Sequence, residues 1–282
     1  MNTLFRNSRR KLTQGLIFWR EAGQGIPIIF LHGAWNDSSQ WVSVIESLSE
    51  NFHCLSPNLL GFGESERPNV HHSIDLQVEC IAEFIQALKL EKFYLVGCSL
   101  GAWIAATYAL KYPERVHGLV LLAPEGVKID GQEKYLRKMR RLVSTPPILS
   151  QVFKFFPPLN KISALQAKVQ KDGTLRQTLL KNPTGCELLF KRRSSEIEAE
   201  LLNKSLHLMQ VPVLILQGGQ DLLDAVVRTQ TYTQLLRKVE LKIIAHGGDD
   251  LPDACAGIVA KYIHDFISYQ LSVISDQLSV QK

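Results

Sequence analysis

The sequence predicts an α/β protein with an open, mostly parallel central sheet flanked by helices, and three observations carry that prediction. Short, continuously apolar runs recur between turn residues, at 27–31, 53–55, 93–96, 119–122, 213–216 and 241–244. Unbroken rather than alternating apolar character is what strands covered on both faces by helices show. Helical periodicity lies between the runs, as in 74–88, where Ile74, Val78, Ile81, Ile85 and Leu88 recur on one face. Finally, the strand signal stops near Gly126 and returns at Val211, which marks an insertion within one sheet.

The core is therefore expected in 1–126 and 211–268, with 127–210 as a helical cap insertion. That insertion is helix-like, basic and punctuated at Pro146–Pro147 and Pro157–Pro158. Its apolar cluster Phe153, Phe155 and Phe156 is expected to line a substrate pocket or pack onto the core. After the last amphipathic helix, 269–282 repeats Gln-Leu-Ser-Val and is expected to be a disordered extension.

A chain of 282 residues with 45% hydrophobic and 21% charged residues has the composition of a folded domain with a large core. The net charge of +5 concentrates in two runs, 6–11 and 134–141. Neither carries the interleaved aromatics of a nucleic-acid platform, so no nucleic-acid partner is expected. Both read as solvated faces, and the stretch 134–141 leaves open a contact with a membrane surface or partner. Cys54, Cys80, Cys98, Cys186 and Cys255 are odd in number, widely spaced and without a C-x-x-C pair. That pattern points away from a disulfide framework or zinc site and towards a reducing cytoplasm. Arg9 and Arg10 resemble a twin-arginine export signal only faintly, since Arg20 and Glu21 come before any apolar segment of adequate length. No window approaches the ~18 to 20 apolar residues of a transmembrane helix.

Val96-Gly97-Cys98-Ser99-Leu100-Gly101-Ala102 places a G-x-S-x-G pentapeptide directly after a strand and before a helical stretch. This is the context of a nucleophile elbow, where a sharp, strained turn lifts the serine hydroxyl above the sheet. Gly97 and Gly101 leave room for neighbouring backbone. Ser99 is thus the candidate nucleophile, and Cys98 a buried, inert thiol. Upstream, Leu31-His32-Gly33-Ala34-Trp35 follows a strand, and a loop there supplies one N–H of an oxyanion hole. The backbone amides of Ala34 and Leu100 are the candidate donors, and losing one such donor typically raises the barrier by about 3 to 4 kcal/mol. His32 is expected to bond the loop backbone rather than substrate.

His32-Gly33, the run 57–65 (PNLLGFGES), the pentapeptide at Ser99 and Gly218-Gly219-Gln220-Asp221 together resemble the α/β-hydrolase superfamily. The resemblance covers 16–126 and 211–268 and is closest to small capped bacterial serine hydrolases, among them esterases, thioesterases, C–C bond hydrolases and cofactor-free haloperoxidases. It implies the α/β-hydrolase fold, hydrolysis of carboxylic esters or related acyl compounds, an apolar small-molecule acyl substrate, and neither metal nor organic cofactor. Relatives that cleave haloalkanes or epoxides use an aspartate nucleophile, which Ser99 disfavours. The resemblance also implies an acid at Asp221, with Asp224 as the alternative.

The resemblance further implies a Gly-His pair shortly after the last strand and a final helix ending in an Asp-Phe-like pair. Counted back without a gap from Asp265-Phe266 in the final helix, that histidine column falls on Asp249. His246, three residues earlier, is the candidate base; His53, His117, His207 and His264 lie in other segments. Two readings stay open: a triad of Ser99, Asp221 and His246, or a ligand-binding or inactive relative in which Asp249 stands where the histidine belongs. An ordinary carboxylate at Asp249 or Asp250 is a poor base for a hydroxyl.

Overall fold

The structure, a computed structural model, describes residues 4–144, 163–248 and 250–280, with side chains described for 4–144, 172–248 and 250–273. Among the described residues, eight strands form one sheet: β1 (Arg6–Lys11), β2 (Leu16–Ala22), β3 (Ile26–Leu31), β4 (Phe52–Pro57), β5 (Phe93–Cys98), β6 (Val116–Leu122), β7 (Val213–Gly218) and β8 (Val239–Ile244). Their spatial order is β1-β2-β4-β3-β5-β6-β7-β8. From β4 through β8 all neighbours are parallel, while β2 pairs antiparallel with both β1 and β4. This is the expected α/β-hydrolase architecture.

All six apolar runs of the sequence are strands, and each extends beyond its most apolar stretch. Helices α1 (Val42–Leu48), α2 (Ile74–Ala87) and α3 (Leu100–Lys111) connect the first parallel strands. The side chain of Ser73 caps α2 by accepting from Leu76 N–H, which fixes where the helix starts. Trp41, Val44, Ile45 and Leu48 of the first connection join Phe30, Tyr94, Val96 and Val120 in one apolar cluster.

Strands β1 and β2 go beyond what the sequence pattern predicts, since Arg6–Lys11 reads there as a solvated basic run. An edge strand with solvent on both sides carries no apolar pattern to read, and here almost every residue of β1 is exposed. Its charges are instead matched across the surface. Arg6 pairs with Glu21 and Arg9 with Glu64, and Lys11 lies 2.6 Å from Glu66.

The chain divides into two compact units, one of Met1–Ile129 with Glu200–Lys282 and one of Asp130–Ala199. The second unit lies within the expected insertion 127–210. Residues after Glu200 belong with the sheet because Leu202 N–H bonds Gly126 O at 2.8 Å and Lys128 N–H bonds Asn203 Oδ1 at 2.7 Å. The inserted unit contains α4 (Gln132–Ser144), α5 (Ser163–Leu180) and α6 (Ser194–Glu200), the last ending at the boundary. Met139, Val143, Leu179, Cys186 and Phe190 form its own apolar cluster. Phe153, Phe155 and Phe156 lie outside the described residues.

Helix α7 (Leu223–Leu235) links β7 to β8, and α8 (Ala256–Val280) closes the chain. Helix α8 runs on past Tyr269 to Val280. Two things account for this. Leu271 packs against the main cluster four residues after buried Ile267, and the Gln-Leu-Ser-Val repeat recurs every seven residues, two helical turns.

Candidate functional site

Strand register brings the first half of the site together. Leu31 on β3 pairs with Gly97 on β5, so residues 33 and 99, each two further on, leave the sheet side by side at the carboxyl ends of adjacent parallel strands. The chain crosses from one side of β3 to the other between β4 and β5, and such a switch point opens a crevice.

Ser99 sits in that crevice with φ 52° and ψ −111°, ahead of the first turn of α3. A non-glycine residue at positive φ is costly and persists only where its surroundings over-determine it. Here Ser99 N–H donates to Leu122 O at 2.9 Å, and Ser99 O accepts from Ala102, Trp103 and Glu125 N–H at 3.1 to 3.3 Å. The glycines are dictated by packing rather than by φ. A Cβ on Gly101 would lie 2.2 Å from Leu31 O, and one on Gly97 2.4 Å from Gly101 O, contacts against backbone that nothing flexible can relieve. Ser99 itself is half-buried.

The loop after β3 lies against the serine; a Cβ on Gly33 would be 3.7 Å from Ser99 Cβ. Gly33 N–H is already held by Gln40 Oε1 at 2.9 Å, which keeps the next amide, that of Ala34, as the candidate donor beside Leu100. The imidazole of His32 bonds backbone on both sides: Nδ1 lies 2.8 Å from Gly33 O, and Nε2 accepts from Leu59 N–H at 3.0 Å. An Nε2 that accepts is unprotonated, and burial lowers the pKa of His32 to about 4. Cys98 is fully enclosed, and burial pushes its thiol well above the ordinary range.

Asp221 follows β7. Its Oδ2 accepts from Gly218 N–H at 3.0 Å and from Gln217 Nε2, while Thr229 Oγ1 on α7 donates to Gln217 Oε1. The acid is thereby tied to helix α7 through one buried amide. Asp224, the alternative acid, lies in the first turn of α7. Burial, helped by the charge of Asp224, raises the pKa of Glu125, whose carboxylate pairs with Arg228 at 2.9 Å.

The turn after β8 closes through Gly247 N–H to Ile244 O at 2.9 Å, and Gly247 O accepts from Gln220 N–H at 2.8 Å. His246 stands exposed on this turn and makes no hydrogen bond or ion pair among the described residues, neither to Ser99 nor to Asp221. Asp249 lies outside the described residues. Its neighbour Asp250 accepts from Gln40 Nε2 at 3.1 Å, and the same Nε2 is 3.8 Å from Cys98 Sγ. Gln40 therefore joins the loop after β3, the elbow and the segment at 250.

Sequence reasoning missed Gln40, Gln217 and Thr229. Gln217 had a signal, a polar residue ending an otherwise apolar strand; Gln40, within a polar stretch before Trp41, had none. Among the described residues, no group of three or more His, Cys, Asp or Glu side chains is arranged to hold a metal ion.

Monoacylglycerol lipase ABHD6 of Homo sapiens is 27% identical over 254 residues, covering 86% of this chain and 75% of that protein. Among solved structures, a bacterial membrane phospholipase A superposes with a TM-score of 0.74 at 21% identity, over 94% of this chain and 86% of the other. A thermophilic esterase from Thermogutta terrifontis gives 0.71 at 20% identity, over 94% and 99%. Those two likenesses concern the fold. The family profile of the alpha/beta hydrolase fold matches residues 26–253, from β3 to beyond the last strand, and the chain belongs to the alpha/beta hydrolase fold family.

Proposed function

We propose that this protein is a serine-dependent hydrolase of carboxylic esters or related acyl compounds, working through an acyl-enzyme on Ser99. The observation that carries the proposal is the strained φ of 52° at Ser99, held between β5 and α3 with the Gly33 loop against its side chain. Strain of this kind lifts a hydroxyl towards substrate. Ser99 Oγ attacks the acyl carbon, and the N–H groups of Ala34 and Leu100 receive the oxyanion. His246 takes the serine proton and returns it to the leaving group, Asp221 fixes the imidazole, and water then releases the acid. In this scheme the exposed turn that carries His246 moves towards Ser99 when substrate binds.

The names of the relatives favour an apolar acyl chain, as in monoacylglycerol lipase and phospholipase A. No metal or cofactor enters the scheme, and the cysteine pattern keeps the cytoplasmic setting as part of the proposal.

A second reading, a ligand-binding protein without turnover, is favoured by the exposure of His246 together with Asp249 in the histidine column. A fluorophosphonate probe separates the two. Labelling at Ser99, abolished in Ser99→Ala, is the expected result. A folded protein that takes no label would overturn the hydrolase reading and leave the binding one.

A further inference from the structure

The two basic runs of the chain differ in what surrounds them. In β1, Arg6, Arg9 and Lys11 each face a glutamate, while Arg10 donates to Ala87 O at 2.7 Å. In α4 the charges are sorted onto one side. Leu136, Met139 and Val143 enter the apolar cluster of the inserted unit, and Arg140 folds inward, its Nε 3.0 Å from Phe190 O and its guanidinium 2.7 Å from Ser194 Oγ. Lys134, Arg137, Lys138 and Arg141, at spacings of three, four and seven, occupy the opposite face and are all exposed. Lys138 pairs with Asp172 at 3.0 Å, Arg137 Nε donates to Glu133 O at 3.3 Å, and Arg141 too has an interaction of its own, so the face is charged and exposed but not without partners. Tyr135, 46% exposed, flanks the face.

The charge of the whole unit follows the same division. Residues 130–199 hold 14 Lys and Arg against 6 Asp and Glu, a net charge of +8, while the remainder holds 18 against 21, a net charge of −3.

We propose that the exposed face of α4 docks the protein reversibly on an anionic phospholipid surface. A row of cations whose apolar side is already spent in its own core offers electrostatic contact without insertion. Tyr135 suits the headgroup level, where an amphipathic ring is favoured. The choice of lipid over another polyanion rests on the acyl-ester reading above, since water-insoluble esters are met at a surface.

Each Lys or Arg near such a surface contributes about a five-fold gain in partitioning, falling off within a Debye length of ~10 Å at 0.1 M salt. The test is sedimentation of the intact protein with phosphatidylglycerol vesicles and with phosphatidylcholine vesicles at low salt. Binding to the former alone, reduced about 100-fold in Lys134→Gln/Arg137→Gln/Arg141→Gln and weakened by 0.5 M salt, is expected. Arg9→Gln/Arg10→Gln/Lys11→Gln changes net charge equally and is expected to bind nearly as the parent, each variant first shown folded by its thermal transition. Equal loss in both triple variants, equal binding to both vesicles, no binding, or tighter binding to duplex DNA than to phosphatidylglycerol would overturn the proposal. Ser99→Ala is expected to bind as the parent, so failure of the hydrolase reading and failure of docking are seen separately.

Discussion

The elbow after β5 is held chiefly by backbone, whereas the carboxylates after β7 and β8 are held largely by side chains. On the nucleophile side, four main-chain bonds fix Ser99, and two glycines admit backbone oxygens at distances no side chain tolerates. On the acid side, Asp221 depends on Gln217 and Thr229, and Asp250 on Gln40. Backbone constraints demand particular residue types at fixed spacing, while a side-chain brace can be assembled from many sequences. The first kind of site announces itself in a motif and the second does not.

The sharpest challenge to this contrast is a pair of substitutions on the weaker side. With His246 as base, His246→Ala is expected to lower kcat for a p-nitrophenyl ester by roughly four orders of magnitude, and Asp249→His to change it little. The reverse pattern, an almost inert parent rescued by Asp249→His, would assign position 249 to the missing base and favour the ligand-binding reading.

The nucleophile side has its own point of failure at His32, whose pKa falls from 6.5 to about 4 on burial. The unfolded chain binds a proton there that the folded chain refuses, so stability rises with pH across that window and is lost as pH falls from about 6.5 to 4. The full difference is about 3 kcal/mol. Denaturant titrations at pH 7.5 and 4 are expected to show that excess acid sensitivity in the parent and not in His32→Gln. An equal acid response in both proteins would mean the ring is not the latch of this loop.

The smallest effect is expected from the brace on the acid. Gln217→Leu removes the amide between Thr229 and Asp221, and kcat is expected to fall about ten-fold with KM little changed, since a misdirected acid disorients the base without touching substrate. A KM effect larger than the kcat effect would instead mean that Gln217 shapes the pocket.

The pentapeptide at Ser99 and the six apolar strand runs were legible because each has a local physical cause: backbone contacts too close for any residue but glycine, and strands dry on both faces. Strands β1 and β2 were not, because pairing with a neighbour rather than apolar burial makes β1 a strand. The hydrogen bonds between Lys128 and Asn203 were also out of reach, since they join residues 75 apart in the chain.

The sequence by itself determined the parallel core, the elbow at Ser99 and the absence of a histidine from the column at Asp249, since all three depend on residue type and spacing alone. Only the tertiary structure decided that Gln40 links Gly33, Cys98 and Asp250, that a buried amide holds Asp221, and that His246 stands in solvent on its turn. The physical reason is distance along the chain. Gln40 and Asp250 are 210 residues apart, and a hydrogen bond over that separation exists only once the sheet has brought the ends of β3 and β8 into one crevice.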